Sequence, residues 1–388
     1  MRVAVVTEFY PRAHDPVLGI WAHRQVRATL EAGAEPSVFV LHRIVPPRSE
    51  FTWAALRRLV AQPRAVALDG IPIRYVRYVS PPRGRTYASW GAWAMPALKT
   101  ALRAAGPFDL IHAHNAVPAG DAVLRAGAPQ PLIVSVHGGD VLWTAHAVRG
   151  GGRAVSRVLD AARLVLANSE GIAALARTHG ARDTRVVGLG TDLPERVERT
   201  AEPLLVTVGH LVARKRHADV IRALARLPAD VRYLVIGDGP ERPAVAALAA
   251  ELGVRDRVEF AGQLEPELAL RRARTAWLFV MPSVAEAFGV AYIEAMAGGV
   301  PAIGAVGEPG PEEIAAAGPG IELVPSADPP ALADRIATLV NDRPALDVLA
   351  ASARTTVAEH FSWERCGQLT LAAYREALGE RSGSHAQA

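Results

Sequence analysis

The hydrophobic residues of this chain form short apolar runs that alternate with stretches of helical spacing. In the first half, the apolar runs lie at residues 2–7, 36–41, 110–114, 132–136 and 164–167. Glycine or polar residues close each run, and a stretch of helical spacing follows, as from Gly19 to Leu30. Alternating strands and helices form a parallel sheet that helices cover on both faces. The pattern therefore predicts an α/β domain of the doubly wound type.

The same alternation starts again in the second half. Further apolar runs lie at residues 204–208, 233–236, 258–260, 278–281 and 300–303. The length of 388 residues suits two domains, and a polar segment with Pro194 and Pro203 separates the two series. We therefore predict Rossmann-like domains over residues 1–193 and 204–360, joined by a linker over 194–203. Ligands are expected at the carboxyl ends of the strands, in the cleft between the domains.

The composition limits the cellular context. The single cysteine, Cys366, excludes an intrachain disulfide and a zinc site built from cysteines, which fits a reducing compartment. Glu8 interrupts the first apolar run too early for a signal peptide or a membrane span. We therefore expect a cytoplasmic protein. The polar residues 382–388 are expected to form a disordered tail.

The net charge of +4 conceals an asymmetry between the two halves. Residues 1–193 contain 23 Lys and Arg against 13 Asp and Glu, whereas residues 194–388 contain 20 against 26. The basic half is therefore expected to meet something anionic. Lys99 and Lys215 are the two lysines among 43 basic residues, so each lysine stands out.

Residues 43–108 interleave arginine with aromatic residues and fit the strand and helix pattern less well. The segment contains Trp53, Arg57, Arg58, Arg64, Arg74, Tyr75, Arg77, Tyr78, Arg83, Arg85, Tyr87, Trp90 and Trp93. One interpretation is an excursion of the first domain whose aromatic residues anchor it in the core. The other is a surface for an anionic membrane or an anionic acceptor. Nucleic acid is not expected as a partner, because no nucleic-acid-binding motif accompanies the segment.

The densest group of candidate functional residues lies between residues 279 and 301. An apolar strand leads into a loop with Glu286, and residues 288–290 open a helix that presents Glu294. Backbone amides at the start of a helix favour phosphate, whereas carboxylates are good acceptors for sugar hydroxyls. The alternative is that Glu286 caps the helix and Glu294 lies on its solvated face. The combination of phosphate-directed amides and two carboxylates indicates a nucleotide-sugar site.

Glu286 and Glu294 resemble the E-x7-E signature of retaining GT-B glycosyltransferases, and their context is similar to family-4 glycosyltransferases of bacterial glycolipid and cell-surface polysaccharide synthesis. The resemblance implies a GT-B fold, with two Rossmann-like domains facing across a cleft. A C-terminal helix, residues 361–381, is implied to return to the first domain and to pack rather than react. The implied reaction is retaining transfer from a nucleotide-diphospho-sugar, with a UDP- or GDP-sugar expected first, to a hydroxyl of a lipid-linked, glycan or small-molecule acceptor. No cofactor is implied, and no metal is expected because the chain lacks the Asp-x-Asp motif of the metal-dependent class.

The resemblance also implies roles for donor-binding residues. Lys215 matches the lysine that binds the donor diphosphate, Glu286 the residue that positions the sugar, and Glu294 the residue that binds the ribose. His210 stands where the family usually has arginine, which leaves open whether His210, Arg214 or neither supplies a second positive contact. The other donor-binding candidates are Gly19, Gly209, Gly237, Gly239, Gln263, Ala287, Phe288, Gly289 and Val290. Catalytic roles are assigned to Glu286, Lys215 and His137.

In the first domain, residues 135–140 resemble the family's His-Gly-x-Asp loop. This resemblance implies that His137 and Asp140 contact the transferred sugar or its acceptor. His112 and His114 end a strand, and we expect their side chains on opposite faces, so that at most one of them reaches the ligand. We assign His114 to the acceptor side. A metal site built from the three histidines is not expected, because their side chains would have to converge on one point.

Two other classes of function stay open. One is a GT-B epimerase or phosphorylase that acts on a related sugar. The other is a non-catalytic partner subunit that binds nucleotide-sugars, which is suggested by His210 and by Ile20, where the family usually has a second glycine. The presence of Lys215, Glu286 and Glu294 together favours an enzyme.

Overall fold

The computed structural model describes residues 1–46 and 51–380, so the predicted tail at 382–388 lies outside the described residues. The chain divides into two compact units. The first unit consists of Met1–Leu189 and the chain from Trp363 onwards, and the second unit consists of Gly190–Ser362. The segment 194–203 lies within the second unit, ahead of its first strand. Its role as a linker stays a prediction.

Among the described residues, an eight-stranded sheet forms the centre of the first unit. Its strands are β1 (Arg2–Thr7), β2 (Glu35–Arg43), β3 (Ala65–Leu68), β4 (Ile71–Tyr78), β5 (Leu110–His114), β6 (Leu132–Val136), β7 (Leu164–Ala167) and β8 (Thr184–Val186). They lie in the order β3-β4-β2-β1-β5-β6-β7-β8, and the β3–β4 pair is antiparallel. Strands β5 and β6 are buried along their whole length, as expected for a parallel sheet covered on both faces.

Helices connect these strands and cover the sheet. They are α1 (Ile20–Glu31), α2 (Trp53–Ala61), α3 (Arg83–Thr86), α4 (Trp90–Ala105), α5 (Asp121–Ala126), α6 (Ala145–Ala147), α7 (Gly151–Ala161) and α8 (Glu170–Thr178). Helix α8 shows how the local sequence sets a boundary, because the hydroxyl of Ser169 accepts a hydrogen bond from the Ile172 amide. Such a cap satisfies an amide that has no partner within the helix.

The second unit is built around a six-stranded parallel sheet. Its strands are β9 (Leu204–Val208), β10 (Arg232–Ile236), β11 (Val258–Gly262), β12 (Leu278–Val280), β13 (Ala302–Ala305) and β14 (Ile321–Val324). They lie in the order β11-β10-β9-β12-β13-β14. The direction of chain progression therefore reverses between β9 and β12. In open α/β sheets, ligands bind outside the carboxyl ends of the strands at such a reversal.

Seven helices of the described residues belong to the second unit. They are α9 (His217–Leu224), α10 (Arg242–Glu251), α11 (Pro266–Ala273), α12 (Val290–Ala297), α13 (Pro309–Ala317), α14 (Pro329–Asn341) and α15 (Arg343–His360). The side chains of Asp328 and Asp342 cap α14 and α15 by accepting hydrogen bonds from backbone amides. Proline follows each cap in the first turn, where its missing amide leaves no donor unpaired.

The last helix, α16 (Trp363–Ala377), belongs to the first unit and packs against α1. The contact is close, since a methyl group at Gly367 would overlap the carbonyl oxygen of Ala28. The Tyr374 hydroxyl lies 2.7 Å from His112 Nδ1. The predicted return of the C-terminal helix to the first domain is confirmed, and its residues pack as expected.

The arginine-rich segment contributes α2, β3, β4, α3 and α4 to the first unit. Of the aromatic residues named in the sequence analysis, Tyr75, Tyr78, Tyr87 and Trp90 are buried. By contrast, Trp53 is 72% exposed and Trp93 is 51% exposed. The core-anchor interpretation therefore fits four of the aromatic residues, whereas two present indole rings to solvent.

Candidate active site

Lys215 and Glu286 lie where the sheet of the second unit reverses its strand order. Strands β9 and β12 are neighbours there, and the loops that follow them carry the two residues. Lys215 Nζ donates a hydrogen bond to Glu286 Oε2 over 2.6 Å. The side chains are only 11% and 9% exposed. The sequence therefore places an ion pair where this class of sheet binds ligands.

A short turn presents Lys215 next to a second cation. Residues Ala213–Lys215 form a 3₁₀ turn, and α9 begins two residues later. Arg214, in the same turn, is about half exposed, and its Nη1 lies 3.6 Å from Glu286 Oε2. Two cations thus flank one carboxylate, which leaves net positive charge for an anionic group such as a diphosphate.

Other polar groups hold Glu286 in place. Ser283 Oγ donates to Glu286 Oε2 over 3.0 Å, and the Glu286 amide donates to Glu308 Oε2 over 2.8 Å. The Glu286 carbonyl accepts a hydrogen bond from the Gly310 amide at 2.9 Å. Glu308 lies in the loop after β13 and was not among the residues predicted from the sequence. The loop that carries Glu286 is therefore fixed by the neighbouring loop of the sheet.

Burial and charge act in opposite directions on these groups. Burial lowers the pKa of the Lys215 ammonium, and the negative charge of Glu286 opposes this effect. Burial also raises the pKa of Glu308, although the hydrogen bond from the Glu286 amide opposes the rise. Removing a charged group from water is costly unless a partner compensates it. The ion pair is therefore the arrangement that keeps Lys215 charged at a buried position.

A cavity of about 360 Å³ opens in the second unit next to Lys215. Its lining consists of Val208, Gly209, His210, Ile236, Gly237, Asp238, Gln263, Leu264, Pro266, Ala269, Leu270 and Glu294. Five donor-binding candidates thus meet in one cavity. Gly209 connects this cavity to the ion pair, because a methyl group at Gly209 would lie 3.9 Å from Lys215 Cε.

Two glycines let the loops after β9 and β10 approach each other. Gly237 has a φ of 131°, and a methyl group there would overlap the Gly209 carbonyl. A methyl group at Gly239 would overlap the Leu211 carbonyl in the same way. Gly239 does not line the cavity, so its structural role is this close backbone contact.

The remaining donor-binding candidates surround the start of α12. Gly289 is the N-cap of α12, which begins at Val290, and it has no side chain with which to cap the helix. Phe288 is buried against Phe361, with ring centroids 5.8 Å apart, and Ala287 is partly buried. For Phe288, only the backbone is available to a ligand.

The sheet of the first unit also reverses its strand order, between β1 and β5. Gly19 ends the loop after β1 and caps α1 with a φ of 66°. A methyl group at Gly19 would overlap the backbone of Phe9 and Tyr10. Local packing thus requires glycine here, and contact of Gly19 with the donor stays a prediction.

Three histidines form a buried cluster at the ends of β5 and β6. His114 Nδ1 lies 3.1 Å from His137 Nε2, and the rings of His112 and His114 have centroids 4.5 Å apart. The expectation that His112 and His114 lie on opposite faces is wrong, because residues two apart on a strand point to the same face. His112 hydrogen-bonds Ser135 Oγ and the Tyr374 hydroxyl, each at 2.7 Å.

Burial keeps this cluster neutral. It lowers the pKa of His112 and His137 well below the ordinary value and lowers the pKa of His114 to about 3. Within the described residues, neither His114 Nε2 nor His137 Nδ1 has a hydrogen-bond partner. Both nitrogens are themselves buried, so a ligand hydroxyl would reach them only after the surrounding side chains moved.

Asp140 organises the loop after β5. Its carboxylate accepts hydrogen bonds from the amides of Ala116 and Val117 at 3.0 and 3.2 Å. Burial raises the pKa of Asp140 to about 7, and the two amides oppose the rise. The carboxylate is thus engaged with backbone, and its contact with a sugar stays a prediction.

The structure also bears on metal and membrane-spanning sites. Over residues 1–46 and 51–380, no group of three or more His, Cys, Asp or Glu side chains is placed to hold a metal ion. None of the helices in those ranges is both long enough and apolar enough to cross a bilayer.

Two family models match the chain. The model for Glycosyltransferase Family 4 matches residues 60–195, and the model for Glycosyl transferases group 1 matches residues 191–356. The second match includes Lys215, Glu286, Glu294 and the cavity described above. The first match includes the histidine cluster.

Related proteins extend over most of the chain. A glycosyltransferase of Bacillus subtilis named for teichuronic acid biosynthesis, TuaC, is 27% identical over 326 residues, which cover 78% of this chain and 80% of the relative. The D-inositol 3-phosphate glycosyltransferase of Nocardia farcinica is 30% identical over 315 residues, which cover 72% of this chain and 69% of the relative.

Solved structures with the same architecture cover nearly the whole chain. Sucrose-phosphate synthase from Thermosynechococcus elongatus superposes with a TM-score of 0.79 at 21% identity, covering 98% of this chain and all of that one. Anabaena HepE, solved with UDP-glucose, superposes with a TM-score of 0.70 at 21% identity, covering 97% of this chain and all of that one. The two Rossmann-like units, the Lys215–Glu286 site and these matches lead to one assignment. This chain is a glycosyltransferase of family 4 with the GT-B fold.

Proposed function

We propose that this glycosyltransferase transfers a sugar from a nucleotide-diphospho-sugar, a UDP- or GDP-sugar, to a hydroxyl acceptor with retention of anomeric configuration. The observation that carries the proposal is the 2.6 Å pair of Lys215 and Glu286 beside the cavity lined by Glu294. The solved complexes of Anabaena HepE with UDP and with UDP-glucose support a donor of this class.

The donor is proposed to bind within the second unit. The nucleoside occupies the cavity, where Glu294 accepts hydrogen bonds from the ribose hydroxyls. The diphosphate contacts Lys215, with Arg214 or His210 as a further cation. Glu286 then accepts hydrogen bonds from hydroxyls of the sugar. Each charged hydrogen bond of this kind contributes about 1.5–3 kcal/mol.

In the transfer step, the bond between the anomeric carbon and the donor phosphate oxygen breaks. The acceptor oxygen forms the new bond on the same face of the sugar, and its proton passes to the departing phosphate oxygen. Lys215 and the amides at the start of α12 stabilise the negative charge that develops on the diphosphate. The proposed step uses no protein nucleophile and no metal ion.

The acceptor is proposed to bind through the first unit. His114 and His137 contact hydroxyl groups once the side chains that bury their unpartnered ring nitrogens move, and both rings stay neutral at physiological pH. The Nocardia farcinica relative is named for an inositol phosphate substrate, which supports a phosphorylated polyol as one acceptor class.

We also propose contact with an anionic membrane through α2. No residue of this helix is buried, and Phe51 and Trp53 are 53% and 72% exposed just before and at its start. Arg57 and Arg58 lie on the same helix and are exposed. Flotation with phosphatidylglycerol vesicles at low salt tests this surface. Equal flotation of the native protein and a Trp53→Ala, Arg57→Ala, Arg58→Ala variant would contradict it.

A thermal stability screen against UDP-, GDP-, ADP- and TDP-sugars tests the proposed donor class. A ligand at 100 times its Kd is expected to stabilise the protein by about 2.7 kcal/mol. We expect one nucleotide series to stabilise the protein. The proposed step uses no metal ion, so this stabilisation should persist in EDTA. The anomeric coupling constants of the product, measured by NMR, test retention. No stabilisation by any of the four series would overturn the proposal.

A further inference from the structure

A second pocket lies in the first unit, apart from the donor-binding residues. Its volume is about 650 Å³. Three arginines line it, namely Arg83, Arg85 and Arg149, together with the aromatic residues Tyr87 and Trp143. No acidic residue contributes to its lining. The lining therefore concentrates positive charge, although the nearby carboxyl group of Glu8 partly balances Arg83.

Two of the three cations of this pocket are available to a ligand. Arg85 and Arg149 are exposed, and within the described residues neither forms an ion pair. The third cation, Arg83, lies over the Tyr87 ring with its guanidinium 4.2 Å from the ring centre. Guanidinium groups bind phosphate and carboxylate oxygens with two parallel hydrogen bonds. The pocket therefore suits an anionic oxygen-rich group.

The aromatic residues add a second kind of contact. Trp143 is 67% exposed, so one face of its indole ring is open to a ligand. Tyr87 is buried, and its hydroxyl donates to Glu8 Oε2 over 2.7 Å, which fixes the ring that forms the floor of the pocket. An apolar ring face next to cations suits a sugar or polyol that carries a phosphate.

The pocket adjoins the loops that carry the histidine cluster. Trp143 belongs to the helical turn Gly139–Thr144, which begins two residues after His137. Asp140, in the same turn, accepts a hydrogen bond from the Val117 amide, and the Val117 carbonyl accepts one from the Tyr87 hydroxyl at 3.2 Å. One backbone segment therefore joins the pocket to the residues proposed to bind acceptor hydroxyls.

We propose that this pocket binds the phosphate group of the acceptor, with the acceptor being a sugar or polyol phosphate ester. The inference rests on the proposed function, because it assigns the acceptor side of the same reaction. Arg85 and Arg149 bind the phosphate, Trp143 contacts the carbon skeleton, and a free hydroxyl extends towards the histidine cluster.

The test measures binding of inorganic phosphate and glycerol 3-phosphate by calorimetry. The pocket variant carries Arg85→Ala and Arg149→Ala. The control variant carries Arg64→Ala and Arg74→Ala, which removes the same charge from exposed positions at the β3–β4 hairpin of the same unit. Loss of charged hydrogen bonds should raise the Kd of the pocket variant by about tenfold or more. Equal affinities of the pocket and control variants would overturn the proposal.

Two further measurements separate this proposal from the donor proposal. Nucleotide affinity should be unchanged in the pocket variant, and glycerol 3-phosphate affinity should be unchanged in Lys215→Ala. If Lys215→Ala alone loses phosphate binding, the phosphate binds in the donor site and the pocket proposal fails. Vesicles of phosphatidylglycerol distinguish a lipid headgroup from a soluble ester. Vesicle binding that depends on Arg85 and Arg149 identifies a lipid-linked phosphate as the source.

Discussion

The loops at the strand ends of the two units differ in the charge of their buried side chains. In the second unit, Lys215 and Glu286 form a buried ion pair, with Arg214 close by. In the first unit, His114 and His137 occupy the comparable position next to the reversal of strand order, and burial lowers the pKa of both. A buried charge persists only where a partner compensates it. The contrast supports the proposal that the second unit binds the charged part of the donor, whereas the strand-end loops of the first unit offer neutral contacts.

The largest expected effect concerns the close backbone contact of the donor loops. Gly237→Ala should cost roughly 3 kcal/mol of stability, because an L residue at positive φ costs about 1–2 kcal/mol and overpacking adds about 1–3 kcal/mol. Gly253→Ala is the matched control, since Gly253 also has positive φ but no atom within 4 Å of an added methyl group. Urea unfolding followed by circular dichroism measures both. Equal losses would show that the Gly237–Gly209 contact is unimportant.

The second effect is acid sensitivity of the first unit. The folded unit keeps His112, His114 and His137 neutral, whereas the unfolded chain binds protons below the ordinary histidine pKa of 6.5. Each histidine therefore destabilises the fold by about 1.4 kcal/mol per pH unit below 6.5. Asp140 acts in the opposite direction, because its pKa of about 7 in the folded state means that stability rises as pH falls.

For the three histidines and Asp140 together, the net loss of stability is roughly 2 kcal/mol between pH 7 and 5.5. In the same unit, burial lowers the pKa of His42 to about 4, which adds to the loss, and raises the pKa of Glu8, which opposes it. In the second unit, the lowered pKa of His217 and the raised pKa of Glu308 act in opposite directions. Hydrogen exchange, corrected for the intrinsic rate at each pH, should show loss of protection in β5 and β6 before β9 and β10. Equal losses of exchange protection in both sheets would contradict the electrostatic contrast between the units.

The third prediction concerns Lys215, the cation that is proposed to bind the donor diphosphate. Lys215→Ala should lower kcat/KM by at least about tenfold, because a charged hydrogen bond is lost and Glu286 stays buried without its cation. Lys99→Ala is the control, since it removes the other lysine of the chain from the first unit. Release of nucleoside diphosphate from the donor measures turnover. Near-native turnover in Lys215→Ala would contradict its role.

The smallest expected effect concerns the loop contact that supports Glu286. Glu308→Gln keeps an oxygen that accepts the Glu286 amide, so turnover should change by less than about threefold. Glu308→Ala removes the acceptor and should lower kcat about fivefold, as expected for about 1 kcal/mol. An unchanged KM for the donor would show that Glu308 positions Glu286 rather than binding substrate. Identical kinetics of Glu308→Ala and the native enzyme would exclude this positioning.

Much of the fold could be predicted because the strands of a parallel sheet that is covered on both faces consist mainly of apolar residues. All ten predicted runs coincide with strands of the two sheets. Strands β3, β4, β8 and β14 were missed. Strand β3 is apolar but short and has no buried residue, and it lies within the arginine-rich segment. Strand β8 is only partly covered, so it does not need an apolar sequence, and in β14 the charged Glu322 interrupts the apolar residues. Strand β4 alternates apolar and polar residues within the arginine-rich segment, where charge obscures the pattern.

The site was predicted in its residue types but not in its contacts. Lys215 and Glu286 are 71 residues apart, and only the pairing of β9 with β12 brings them together. Glu308 has no motif or spacing that marks it. The available signal was its position after β13, since neighbouring parallel strands place their following loops side by side. The histidine faces were predicted wrongly, although the two-residue period of a strand was sufficient to place His112 and His114 together.

The central claim is that the second unit binds the donor nucleotide through the loops after β9 and β12. Hydrogen exchange with and without saturating nucleoside diphosphate, using the base found in the stability screen, tests this claim directly. The account predicts the strongest protection in peptides that cover residues 209–217 and 283–294, and none in peptides that cover residues 83–87 and 143–149. Unchanged exchange in both second-unit peptides, with the nucleotide bound, would contradict it.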